Sequence, residues 1–124
     1  MRTDAARDVT ARLGDDIQLI DGTASFFGIA SGGPLQIRGN GCLAASHDTV
    51  VFERWLPREI VAIPRARIVS VGLTNSFLGK TRFRNLLEIR FRDRAGAIDA
   101  VAWQVDDPFP WIAALAPATA TASR

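Results

Sequence analysis

The order of elements in this chain predicts a mainly β fold, a seven-stranded bent sandwich or barrel capped by a C-terminal α-helix. Three observations predict it. From Gly39 to Leu115, strand-like segments and tight turns follow one another with no helix until the end. Leu87, Ile89 and Phe91 alternate with Glu88, Arg90 and Arg92, the period-two pattern of a strand with one wet face. Trp111, Ile112 and Leu115 then share one stripe at helical spacing. A small closed β-domain plugged by a helix can bury a core of its own.

Each element has a local reason. Residues 3–13 (TDAARDVTARL) read either as a short helix, with Thr3 as N-cap and Val9 and Leu13 on one face, or as a loose tail. Residues 17–29 (IQLIDGTASFFGI) read as extended chain with a break at Asp21–Gly22, and Ser31 to Pro34 as a loop. Leu35 to Ser46 resumes as strand, with Gly39 and Gly41 at bulge or bend positions. After a tight turn at His47–Asp48, Thr49 to Trp55 is a β-branched and aromatic strand. Pro57–Arg58 is a turn, and Glu59 to Ile63 a short strand stopped by Pro64. Ala66 to Leu73 alternates, with Ile68 and the other even positions opposite Val69, Val71 and Leu73. Thr74 to Asn85 reads as a polar connection, Arg94 to Gly96 as a hairpin turn, and Ile98 to Val105 as the returning strand. Asp107 can cap the final helix, Pro108 suits its first turn, and Pro117 prevents its continuation.

The 124 residues form one domain with enough apolar content, 48%, to bury a real core. Residues 1–16 are an N-terminal extension, 17–116 the folded domain and 117–124 a flexible tail. A lone cysteine, Cys42, excludes an internal disulfide, and no signal-like or membrane-spanning apolar run is present. Cytoplasmic residence is the expectation, with attachment at the inner face of the membrane as its peripheral variant.

Charge is uneven. Residues 54–94 carry ten basic and three acidic side chains, net +7, whereas the whole chain is only +2. A cationic middle is a candidate surface for anions; the same arginines also fit a merely solvated face.

Motifs that would name an enzyme lack their context. Gly39 to Ala44 (GNGCLA) matches the dinucleotide-binding glycine pattern, but a turn and a strand follow where a helix must begin. Gly79–Lys80–Thr81 ends like a P-loop, yet Thr74 stands where the first glycine belongs and a strand follows. Ser46, His47 and Asp48 are consecutive, so their side chains diverge and cannot form a relay. His47 is the sole histidine and cannot build a multi-histidine metal centre. Asp15–Asp16 and Asp106–Asp107 sit at element starts, where capping explains them. The chain is therefore read as non-catalytic, with no cofactor or metal.

The run GNGCLAASHDTVVFERWLPREIVAIPRARIVSVG is similar to bacterial PH-like and GRAM-like domains. Those domains carry a glycine, a leucine-x-leucine-threonine-x-x-x-leucine-x-phenylalanine hairpin, an isoleucine–proline strand end and an isoleucine-x-x-valine strand. Leu43, Val51 and Phe52 sit near the hairpin positions, Ile63–Pro64 matches the strand end, and Ile68 with Val71 the next strand. The stretch AVAWQVDDPFPWIAAL resembles the family's last strand and helix, with Trp111 and Leu115 as its core. The resemblance covers residues 17–116 and implies a seven-stranded PH-like barrel that binds lipids, peptides or proteins and catalyses nothing. It departs from the phosphoinositide binders of the family, whose first hairpin loop is basic: here that region offers Arg38 beside Gly32, Gly33 and Pro34.

The candidate contact site is Phe77 and Leu78 at an apolar tip, flanked by Lys80, Arg82 and Arg84, with Arg90 and Arg92, and Arg94 after them, extending the positive face along the next strand. An apolar tip with basic flanks suits an anionic lipid surface, and a basic stripe suits an acidic protein. Nucleic acid is disfavoured, because Phe83 alone makes a thin stacking platform. Self-association through sheet surface or exposed edges is the competing expectation.

Overall fold

The computed structural model describes residues 16–32, 39–55, 58–77 and 80–117, and every structural statement refers to these. For Trp55, Arg58, Ser76, Phe77 and Lys80 to Arg84 the backbone alone is described. The expected helix or tail at 3–13, the start of the strand at 35–38 and the tail from 118 onward lie outside them.

Seven strands, β1 (Leu19–Ile29), β2 (Gly39–Ala45), β3 (Thr49–Trp55), β4 (Arg58–Pro64), β5 (Ile68–Phe77), β6 (Lys80–Arg92) and β7 (Ile98–Gln104), are followed by one helix, α1 (Phe109–Leu115). All neighbours pair antiparallel in a single sheet ordered β4-β3-β2-β1-β7-β6-β5. The expected mainly β fold with a helical cap is what forms.

Two measurements show that this sheet is rolled. β4 and β5 are its opposite edges, yet only the 3-10 turn Arg65–Arg67 joins them. Six strand steps of about 4.8 Å would separate these edges by about 29 Å in a flat sheet. The four residue steps from Pro64 to Ile68 reach at most about 14 Å. Similarly, Phe52 on β3 and Trp103 on β7 are three strands apart, about 14 Å if flat, but their ring centroids lie 5.8 Å apart. Phe26 completes the aromatic centre, stacked on Phe52 at 5.3 Å.

Around this centre pack Leu43, Val50, Ile63, Ile68, Leu87, Ile89 and Val101, with Trp111 and Leu115 of α1. The helix begins as its sequence requires. Asp107 accepts the Phe109 N–H at 3.1 Å, and Pro108 already has helical angles (φ −76°, ψ −19°). The opposite face of the sheet is also partly buried: Phe27, Leu86 and Ala102 form a second small cluster.

Four local expectations are corrected. Thr74 to Asn85 is not a connection, because β5 runs on to Phe77 and β6 begins at Lys80, with Phe77 paired to Lys80 and Ser76 to Thr81. Cross-strand backbone pairing, with a register shift between Thr74 and Ser76, overrides the polar composition. A second shift, between Ile68 and Ser70, breaks the alternation in β5: Ile68 and Val71 both pack on the core, and Val69 is exposed. Ser31 and Gly32, the described start of the loop expected over Ser31 to Pro34, belong to a 3-10 turn, Ala30–Gly32, whose Ser31 donates its N–H and hydroxyl to the Asp99 carboxylate at 3.0 and 2.6 Å. The expected break at Asp21–Gly22 is a bulge between Asp21 and Ala24 within one continuous β1.

Candidate functional site

β6 carries most of the sequence-predicted contact residues. Lys80, Arg82, Arg84, Arg90 and Arg92 all belong to this one strand, and Phe77 ends β5 opposite Lys80. Leu78 lies outside the described residues. Basic loop flanks thus become positions on a strand. Arg90 and Arg92 are exposed and share the wet face, since Ile89 and the partly buried Phe91 between and beside them pack on the core. Arg90 approaches Glu88 with its Nε at 3.6 Å; Arg92 donates to the Gly96 carbonyl at 3.2 Å.

The rolled sheet adds what no single segment shows. A cleft of about 470 Å³ opens between the end of β4 and the end of β6. Thr49, Ala62, Ile63 and Pro64 line it from β3 and β4; Arg67, Phe91, Arg92, Asp93 and Arg94 line it from the β4–β5 turn and the end of β6. Arg67 donates to the Asp93 carbonyl at 2.8 Å. The Asp93 carboxylate closes the β6–β7 turn, its Oδ1 accepting the N–H groups of Ala95 and Ala97 at 2.9 and 3.0 Å. Gly96 adopts φ 85°, the left-handed conformation the turn needs. Arg94 continues the basic run that Arg90 and Arg92 begin, whereas Arg67 has no signal in the sequence beyond membership of the +7 segment, because it comes from a separate element.

The groups that resemble chemistry elsewhere have structural employment. Ser46 donates its hydroxyl to Asp48 Oδ1 at 2.9 Å and accepts the Thr49 N–H at 3.2 Å, closing the β2–β3 hairpin. His47 turns away and pairs with Asp16 through Nδ1, while its own N–H reaches the same carboxylate at 3.2 Å. Asp16, His47 and Asp48 bring potential ligand atoms within 4.8 Å of one another, and the Asp16–His47 pair and the Asp48–Ser46 hydrogen bond account for the grouping. Asp16 is held below the usual carboxylate range by the His47 hydrogen bond. The Cys42 thiol is pushed up to about 11, first by burial and then by the Asp21 and Glu53 charges, the opposite of an activated nucleophile.

The glycine motifs are strand features too. A Cβ on Gly41 would lie 2.1 Å from the Glu53 carbonyl oxygen, so this position admits only glycine where β2 and β3 approach. β2 continues to Ala45 with no helix behind the glycines, and Lys80 and Thr81 are in β6. Comparison with known proteins finds no matching family model, no similar curated protein and no similar solved structure. Among the described residues, no helix is long and apolar enough to cross a membrane.

Proposed function

We propose that this chain is a non-catalytic binding module of the PH/GRAM-like kind, which meets an anionic membrane surface or an acidic protein through its arginine-rich side. The supporting observation is convergence: Arg67, from the β4–β5 turn, joins Arg92, at the end of β6, and Arg94, in the turn that follows, around one cleft. Arg90 continues the same exposed face of β6. Each such charge near an anionic bilayer contributes about 1 kcal/mol. Four give a reversible attachment at the inner face of the membrane.

Flotation with vesicles containing anionic phospholipid, against neutral vesicles, tests this reading. Binding is expected on the anionic vesicles alone and should fall as salt shortens the screening length below about 10 Å. The double substitution Arg90→Gln, Arg92→Gln should weaken binding by roughly thirtyfold, two charges at about 1 kcal/mol each. Absence of binding at low salt removes the membrane version and leaves an acidic protein as the partner.

A second reading has its own observation. Among the described residues β4 and β5 are the edges of the sheet, with Ile60 exposed on the first and Val69 and Leu73 on the second. Such edges can pair between copies. Sedimentation that finds only monomer at high concentration removes self-association.

A further inference from the structure

We infer that the cleft between the end of β4 and the end of β6 binds a small amphipathic anion, a carboxylate or phosphate head on a short apolar body. This rests on the anion-contacting reading above and adds a bounded site and a ligand class to it. Small-molecule sites run from about 300 to 1,000 Å³, and the cleft's 470 Å³ lies within that range. A flat bilayer contact requires no such concavity.

The lining divides by chemistry. Ala62, Ile63, Pro64 and Phe91 supply apolar wall, and Arg67, Arg92 and Arg94 supply three guanidinium groups. None of the three is ion-paired among the described residues. Arg67 and Arg92 each donate one N–H to a neutral backbone carbonyl, of Asp93 and Gly96, which orients the side chain without neutralising it. A guanidinium has five N–H donors, so both keep donors for a ligand oxygen. Arg94 makes no hydrogen bond among the described residues. Asp93, the one carboxylate in the lining, is engaged by two backbone N–H groups of its own turn. Carboxylates and phosphates are the anions that match the guanidinium fork. The apolar wall beside it selects anions that carry hydrocarbon.

The test titrates the isotope-labelled chain, followed by amide NMR, with octyl phosphate and with octanoate, each below its micelle concentration. Octyl glucoside and inorganic phosphate are the neutral and the tail-less controls. Saturable shifts at Thr49, Ile63 and Phe91 to Arg94 are expected with at least one amphipathic anion. Affinity for inorganic phosphate should be at least tenfold weaker, and octyl glucoside should give no saturable shift. Ala62→Trp, at an exposed position, fills the cleft and should weaken binding more than tenfold while flotation on anionic vesicles persists. Arg94→Gln, on an exposed turn, should weaken it about tenfold with the thermal midpoint unchanged. Equal binding of octyl glucoside, indifference to Ala62→Trp, or no saturable shift with either anion overturns the inference. Flotation without cleft binding overturns the cleft and spares the proposed function; cleft binding without flotation does the reverse for the membrane.

Discussion

Arg65 leaves the short turn between β4 and β5 and distributes its guanidinium over three acceptors far apart in the chain. These are the Gln18 side-chain oxygen at 2.9 Å, the Ser46 carbonyl at 2.7 Å and the Ala114 carbonyl in α1. One side chain therefore ties the lead-in to β1, the β2–β3 hairpin and the helix to the β4–β5 turn. Arg65→Ala is expected to cost about 2 kcal/mol in chemical denaturation, and Arg65→Lys to recover only part, because an ammonium cannot reproduce the fork. Asp21 does similar work at the β1 bulge, accepting the N–H groups of Thr23 and, across the fold, Asp106, each at 2.8 Å. Asp16 gives a pH-dependent readout. Its carboxyl is lowered in the folded chain, so the His47 contact stabilises at neutral pH, and that contribution is lost as pH falls through the lowered value. Carbon-detected NMR titration should place Asp16 below ordinary aspartates, and His47→Ala should return it to their range. None of these pairings was legible in the sequence: Asp16 and His47, or Arg65 and Ala114, are joined only by the path of the backbone between them.

At the scale of elements, α1 shows how little chain is needed to close the fold. It has seven residues, too short to be stable alone. Its stability comes from burying Trp111 and Leu115, at 4% and 3% exposure, against the strands. Trp111→Ala should cost about 3–5 kcal/mol by thermal or denaturant unfolding; a loss below about 1 kcal/mol would show the helix to be peripheral to the core. This stripe and the Asp107–Pro108 start were readable because helical spacing and caps are local signals. Strand β3 was readable in full for the same reason, its Thr49–Trp55 limits following from a β-branched run between turns. The end of β5 and the start of β6 were not. Thr74 to Asn85 looks polar to a reading of composition, whereas the pairing of Phe77 with Lys80 is a property of two strands together.

For the whole molecule, β7 is the element that makes one body of the sheet. It lies between β1 and β6, pairing Ser25 with Gln104 and Leu87 with Trp103. A chain ending at Gly96 should lose cooperative unfolding altogether, since Trp103 leaves the aromatic centre and the two halves of the sheet separate; calorimetry showing an intact transition would contradict this. The amino-acid sequence by itself determined the strand count, the helical cap and the cationic character of residues 54–94, because alternation, capping and charge are properties of neighbouring residues. The tertiary structure alone decided which strands became edges and that Arg67 would stand beside Arg92 and Arg94 over Ile63 and Phe91. The reason is steric: three residues join strands at opposite ends of a seven-stranded sheet, so the sheet must roll until that short turn can span them, and only the rolled form brings Arg67 beside the end of β6.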